Sequence, residues 1–72
     1  MSGARILLVE DDEVLCDLVN RNLVARGHEV NIAENAHKAL MFLSNTTYDL
    51  IVLDIMLPDR SGIDAARRRL VL

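Results

Sequence analysis

Leu50-Ile51-Val52-Leu53-Asp54, followed by Ile55-Met56-Leu57-Pro58-Asp59, is the stretch whose reading decides the fold. Four apolar residues run straight into a carboxylate, and Pro58 and Gly62 follow soon after. A short apolar run bounded by breakers reads as a buried strand of a parallel sheet. Asp54 then stands where that strand ends. The carboxyl ends of the strands form the ligand crevice of open parallel sheets, so Asp54 is the first candidate for chemistry.

Working outward, Ile6-Leu7-Leu8-Val9 is a second continuous apolar run, and it too ends in acids, Glu10-Asp11-Asp12-Glu13. It reads as the first strand, buried on both faces. Asp11 or Asp12 is placed to cap the helix that follows, and acids in its first turn suit the helix dipole. Leu15, Leu18, Val19 and Leu23 fall at helical spacing, with Gly27 as a natural stop. Val30, Ile32 and Ala33 suggest a second strand, nearer an edge. Ala36, Ala39, Leu40 and Leu43 mark a second helix, closed by the turn cluster Ser44-Asn45-Thr46-Thr47. After Pro58-Asp59-Arg60-Ser61-Gly62, the stripe Ile63, Ala66, Leu70 suggests a third helix.

Strand and helix thus alternate three times, which implies right-handed crossovers and a parallel sheet covered on both faces, an α/β fold. Seventy-two residues allow one small domain, and the 51% hydrophobic content argues against disorder. Residues 1–59 carry ten acids and four bases, giving −6, whereas residues 60–72 carry one acid and four bases, giving +3. The single cysteine, Cys16, excludes an internal disulfide and reads as filler on the first helix. No apolar run approaches a signal peptide or a membrane span, so the expectation is a cytoplasmic protein without a membrane partner.

Strands one and three are commonly neighbours in such sheets, which would bring Glu10 and Asp11 to face Asp54. Clustered carboxylates repel by several kcal/mol per pair even at an effective dielectric of about 20. Such a cluster persists when one member is protonated or a cation sits among them. Oxygen ligands with room for water suit Mg²⁺, and an aspartate beside Mg²⁺ suits uptake of a phosphoryl group. The plainer reading, helix capping, fits Asp12 and Glu13.

Ile6-Leu7-Leu8-Val9-Glu10-Asp11-Asp12 and Val52-Leu53-Asp54-Ile55-Met56-Leu57-Pro58-Asp59-Arg60-Ser61-Gly62 resemble the two N-terminal signatures of response-regulator receiver domains. The resemblance covers essentially the whole chain in order. It implies a flavodoxin-like fold truncated after the third helix, with strand order 2-1-3, so that residues 1–72 form a partial receiver domain lacking the fourth and fifth strand–helix units. Asp54 would be the phosphoacceptor, receiving phosphate from a histidine kinase or phosphotransfer protein. Asp11 would bind Mg²⁺ directly, Glu10 would assist, and the Met56 backbone carbonyl would supply a further ligand. Pro58 and Gly62 would shape the loop into the third helix.

The family's switch hydroxyl and its lysine have no counterpart, since the one lysine, Lys38, falls on the second helix, away from the expected site. The switch is therefore expected to be impaired, and no DNA-binding output domain is expected within the chain. Strand three, central in the parent order, would here be an unpaired edge, and the first helix would expose apolar surface. A homo-oligomer through that edge follows as an expectation.

Other residues point elsewhere only weakly. His28 and His37 lack partners at metal-ligand spacing and read as surface residues. Arg67-Arg68-Arg69 lacks interleaved aromatics and reads as a solvated helix face rather than a nucleic-acid contact. No G-x-G-x-x-G or Walker sequence occurs, so no nucleotide cofactor is expected. Two alternatives to a non-enzymatic phosphoacceptor remain. One is a self-association module without phosphotransfer. The other is a Mg²⁺-dependent aspartyl-phosphate phosphatase, which Met56 argues against because those enzymes carry an aspartate two residues after the nucleophile.

Overall fold

The computed structural model describes residues 3–58 and 65–72. Its elements are β1 (Arg5–Val9), α1 (Glu13–Ala25), β2 (Glu29–Ala33), α2 (Ala36–Asn45), β3 (Leu50–Pro58) and β4 (Ala65–Val71). One sheet holds all the strands in the order β2-β1-β3-β4. β1 pairs in parallel with β2 on one side, from Arg5↔Glu29 to Val9↔Ala33, and with β3 on the other, from Ile6↔Leu50 to Val9↔Leu53.

β1 is central because its sequence suits no other place. Ile6, Leu7 and Leu8 are buried to 2% exposure or less, which requires cover on both faces as well as a strand on each edge. The two crossovers supply that cover. The chain moves from β1 to β2 through α1 and returns across β1 to β3 through α2, so the right-handed rule places the helices on opposite faces. Leu7, Ala33 and Ala39 form the buried cluster under α2, with Val9, Phe42, Tyr48 and Ile51 packed around it. Alternation along the strand turns Ile6 and Leu8 to the other face.

Local chemistry sets the helix ends. The Asp12 carboxylate accepts from the N–H groups of Val14 (2.9 Å) and Leu15 (3.3 Å), so Asp12 is the N-cap of α1. Asn35 plays the same part for α2 by accepting from Lys38 N–H at 2.8 Å. α1 closes into Gly27, whose φ of +89° favours glycine. There the chain entering β1 comes very close: Gly3 N–H donates to the Gly27 carbonyl at 3.1 Å, and Ala4 N–H to His28 Nδ1 at 2.9 Å. A Cβ on Gly3 would lie 2.4 Å from that Gly27 oxygen, so position 3 admits no side chain without movement.

Three sequence expectations need correction. The α1 stripe is shifted: Leu15, Val19 and Leu23 are half-buried, but Leu18 is 56% exposed and Cys16 is the buried residue. Cys16, Val19 and Leu23 share one face at helical spacing, and Leu18 falls outside it. The apolar surface expected on α1 is present, with Val14, Leu18 and Val24 all exposed.

Second, β3 does not end at Asp54 but continues to Pro58. Third, the segment expected to be a third helix is the strand β4, antiparallel to β3 from Val52↔Val71 to Pro58↔Ala65. Ala66, Leu70 and the run Arg67-Arg68-Arg69 fall on this strand, while Ile63 and Gly62 lie outside the described residues. The physical reason is the edge itself. An uncovered β3 would present a row of unpaired N–H and C=O groups, and the following segment of the chain pairs with them. The β3 edge is therefore covered by β4.

Candidate functional site

The parallel register builds the site. Val9↔Leu53 is the last pair of the β1–β3 ladder, so the next residue on each strand, Glu10 and Asp54, leaves the ladder at the same level. Asp11 follows as the chain turns toward α1. Carboxylate oxygens of Glu10, Asp11 and Asp54 lie within 4.8 Å of one another, the group with metal-ligating character among the described residues.

The three acids differ in setting. Glu10 is 2% exposed, Asp54 is half-buried and Asp11 is exposed. Glu10 is anchored on several sides. Its N–H donates to the Ala33 carbonyl (3.0 Å), its Oε2 accepts from Asp12 N–H (2.9 Å), and its own carbonyl accepts from the Cys16 thiol (3.3 Å). Burial first, and then a hydrogen bond with the Asp54 side chain, push the Glu10 carboxyl above its ordinary value. The Asp12 N–H acts in the opposite direction. A carboxylate pair that favours an added proton also favours a cation in its place, and three hard oxygen donors suit a small divalent ion.

Met56 lies in β3 opposite Arg67, not in a loop after the strand. Ile51 and Leu72 exchange both backbone hydrogen bonds, each at 2.8 Å. Antiparallel alternation then turns the backbone N–H and C=O of Asp54 and Met56 away from β4, toward the β1 side. That is the side on which Glu10 stands.

An open cavity of about 370 Å³ adjoins Glu10 and Asp11 and is also lined by Cys16, Asn20, Glu34 and Lys38. Lys38, on the second helix as expected, also lines this cavity. It pairs with Glu34 one turn earlier, and that contact holds the Glu34 carboxyl below its ordinary value. The i, i+4 spacing of Glu34 and Lys38 was the available sequence signal. Burial, and after it the nearby acids, push the Cys16 thiol up, so it is a packed, neutral group. His28 is half-buried with its Nδ1 accepting a backbone N–H, a structural role, while His37 is exposed.

Residues 6–69 match the family model of the response regulator receiver domain. The chain belongs to this family. It is 41% identical over 71 residues to a probable transcriptional regulatory protein of Picosynechococcus, covering 89% of this chain and 28% of that protein. To the transcriptional regulatory protein YrkP of Bacillus subtilis it is 46% identical over 63 residues, covering 88% and 27% respectively. To the transcriptional regulatory protein TcrA of Mycobacterium tuberculosis it is 37% identical over 68 residues, covering 94% and 27%. The receiver chain thus spans less than a third of each of these relatives. No solved structure matches it. Receiver domains are signalling domains, and among the described residues no helix is long and apolar enough to cross a membrane.

Proposed function

We propose that this receiver chain is the phosphoacceptor module of a two-component phosphorelay, with Asp54 taking up a phosphoryl group from the phosphohistidine of a kinase or phosphotransfer protein. The reading rests chiefly on one observation, the meeting of Glu10, Asp11 and Asp54 at the end of the β1–β3 ladder. An Asp54 carboxylate oxygen attacks phosphorus, the P–O bond forms as the P–N bond to the donor imidazole breaks, and the imidazole nitrogen leaves with its electron pair. The product is an aspartyl phosphate, an acyl phosphate on Asp54.

The site's own residues must hold Asp54 as an ionised nucleophile next to two other acids. Glu10 and Asp11, with the Met56 backbone carbonyl, would hold Mg²⁺. When bound, the ion supplies positive charge that offsets repulsion between carboxylate and incoming phosphate. The oxygen-only donor set and the raised affinity of Glu10 for positive charge fit that ion. The chain acts as acceptor rather than enzyme, in the cytoplasm, with a histidine kinase or phosphotransfer protein as partner. Met56, two residues after Asp54, cannot serve as a general acid, which weighs against a phosphatase.

The test is labelling by a small acyl-phosphate or phosphoramidate donor in the presence of Mg²⁺. Label is expected on the wild-type chain, lost in Asp54→Ala and strongly reduced in Asp11→Ala. Undiminished labelling of Asp54→Ala would overturn the reading.

A further inference from the structure

β2 ends the sheet on the side away from β4 and pairs, among the described residues, with β1 alone. The bonds at the two ends of the β1–β2 ladder fix which backbone groups of β2 point outward. Glu29 N–H donates to the Ala4 carbonyl (2.9 Å), and the Ala33 carbonyl accepts from Glu10 N–H (3.0 Å). Glu29, Asn31 and Ala33 therefore turn their backbone groups to β1, and Val30 and Ile32 turn theirs to the outer edge.

This edge is not blunted in the usual ways. Edge strands are protected by lysine, proline, bulges or a covering segment. Glu29-Val30-Asn31-Ile32-Ala33 has neither lysine nor proline, and its register with β1 is unbroken. Its one charged residue, Glu29, is paired with Arg5 at 3.0 Å. Beside the edge runs an open groove of about 360 Å³, lined by Ile32, Lys38, Met41, Phe42 and Asn45.

We propose that the β2 edge is a self-association surface, on which β2 of a second copy pairs antiparallel about a two-fold axis at Asn31. One register uses every outward group. In it Val30 stands opposite the second copy's Ile32, and Ile32 opposite its Val30. Each is a hydrogen-bonded pair that exchanges two bonds, so both N–H groups and both C=O groups of each strand are satisfied. A slip of two residues either way leaves Ile32 opposite His28 or Val30 opposite Glu34, both outside β2. His28 N–H is already committed to the Leu23 carbonyl.

The side chains agree with that register. Val30 and Ile32 share one face of the sheet, so β-branched residues meet across the axis. Glu29 shares the other face with Ala33, which packs under α2. The second copy's Glu29 arrives opposite Ala33, on the side where Lys38 lines the groove. Symmetry makes this acid–base match twice, and no acid of β2 stands opposite another. That self-complementarity of bonds, shape and charge selects a second copy as the occupant. The strands run in opposite directions, so the two acidic trios open at opposite ends of one continuous sheet.

The test begins with the unmodified chain. In millimolar solution, sedimentation equilibrium is expected to give twice the 8.1 kDa of one chain, returning to 8.1 kDa on dilution. Amide exchange at Val30 and Ile32 should be at least tenfold slower in the concentrated sample, with Asn31 and Ala33 unchanged. Asn31 faces itself as a non-hydrogen-bonded pair, with Cα atoms about 4.5 Å apart, within disulfide range. In a Cys16→Ala background, Asn31→Cys is therefore expected to oxidise to a covalent dimer, whereas Asn22→Cys, exposed on α1, is not. Ile32→Lys is expected to give a folded monomer.

A folded chain that stays at 8.1 kDa in millimolar solution overturns the proposal. So does a dimer whose Val30 and Ile32 amides exchange as fast as in the dilute sample, because it uses another surface. Should the variants fail to fold, these two measurements on the unmodified chain decide.

Discussion

The two sides of β3 are built differently. On its β1 side, parallel pairing sets half-buried Leu50, Ile51 and Val52 against fully buried Ile6, Leu7 and Leu8, with a helix on each face of the sheet. On its β4 side, antiparallel pairing runs from Val52↔Val71 to Pro58↔Ala65, past the last β1–β3 pair. The first region is held by side-chain burial, and in the second the pairing meets the need of an edge strand for hydrogen-bond partners. Pattern and propensity agree in the first and disagree in the second. The site lies at the seam, since Glu10 and Asp54 leave the parallel ladder where the antiparallel pairing runs on.

The largest expected effect lies in the body. Leu7→Ala removes a fully buried side chain from the cluster under α2, and should cost about 3 kcal/mol. In so small a domain that loss should leave the chain largely unfolded at room temperature, as read by urea denaturation. A loss below ~1 kcal/mol would show that this cluster is not what holds the body together.

Next comes Asp12→Ala, which leaves two N–H groups of α1 without the cap that now accepts from them. It should cost about 1 kcal/mol, with the loss reported by both circular dichroism and fluorescence-independent amide exchange in α1. An unchanged denaturation midpoint would mean that α1 is held by packing alone.

A smaller effect is expected from pH at the seam. The Glu10 carboxyl is raised in the folded chain above its ordinary value near 4.5, so between these two values the folded state binds more protons than the unfolded state. Stability therefore falls as pH rises through that window. In metal-free buffer, lowering pH from neutrality toward about 4.5 should remove this penalty, and Glu10→Gln should flatten that part of the profile. A profile of Glu10→Gln identical to wild type would show that the burial of Glu10 carries no such penalty.

The smallest effect belongs to the β4 side. Val71→Ala alters a residue 58% exposed on β4, and should change global stability by less than about 0.5 kcal/mol. A loss as large as that of Leu7→Ala would erase the contrast between the two sides of β3.

This contrast also explains what could be read from the chain before folding. β1 and the first half of β3 were legible because continuous apolar runs of that length demand burial on both faces. The meeting of Glu10 and Asp54 was legible because each follows such a run directly. The burial of Cys16 in place of Leu18 was not, since both lie on one helix and a turn of about 100° per residue separates core from solvent. The approach of Lys38 to the cavity depended on how the β2–α2 connection directs the helix. β4 was hidden for a different reason. Its sequence favours a helix, and only a non-local requirement, the unpaired edge of a strand earlier in the chain, draws it into the sheet.

One consequence of the parallel register remains. Glu10 meets Asp54 only when Val9 stands opposite Leu53. A slip of one residue would carry one acid along its strand by about 3.3 Å and turn it to the opposite face. The meeting of the three carboxylates is thus a ruler laid across the sheet. A chain folded out of register does not bring Glu10, Asp11 and Asp54 together, so under the proposed function proofreading of the fold and competence to receive a phosphoryl group would be the same event.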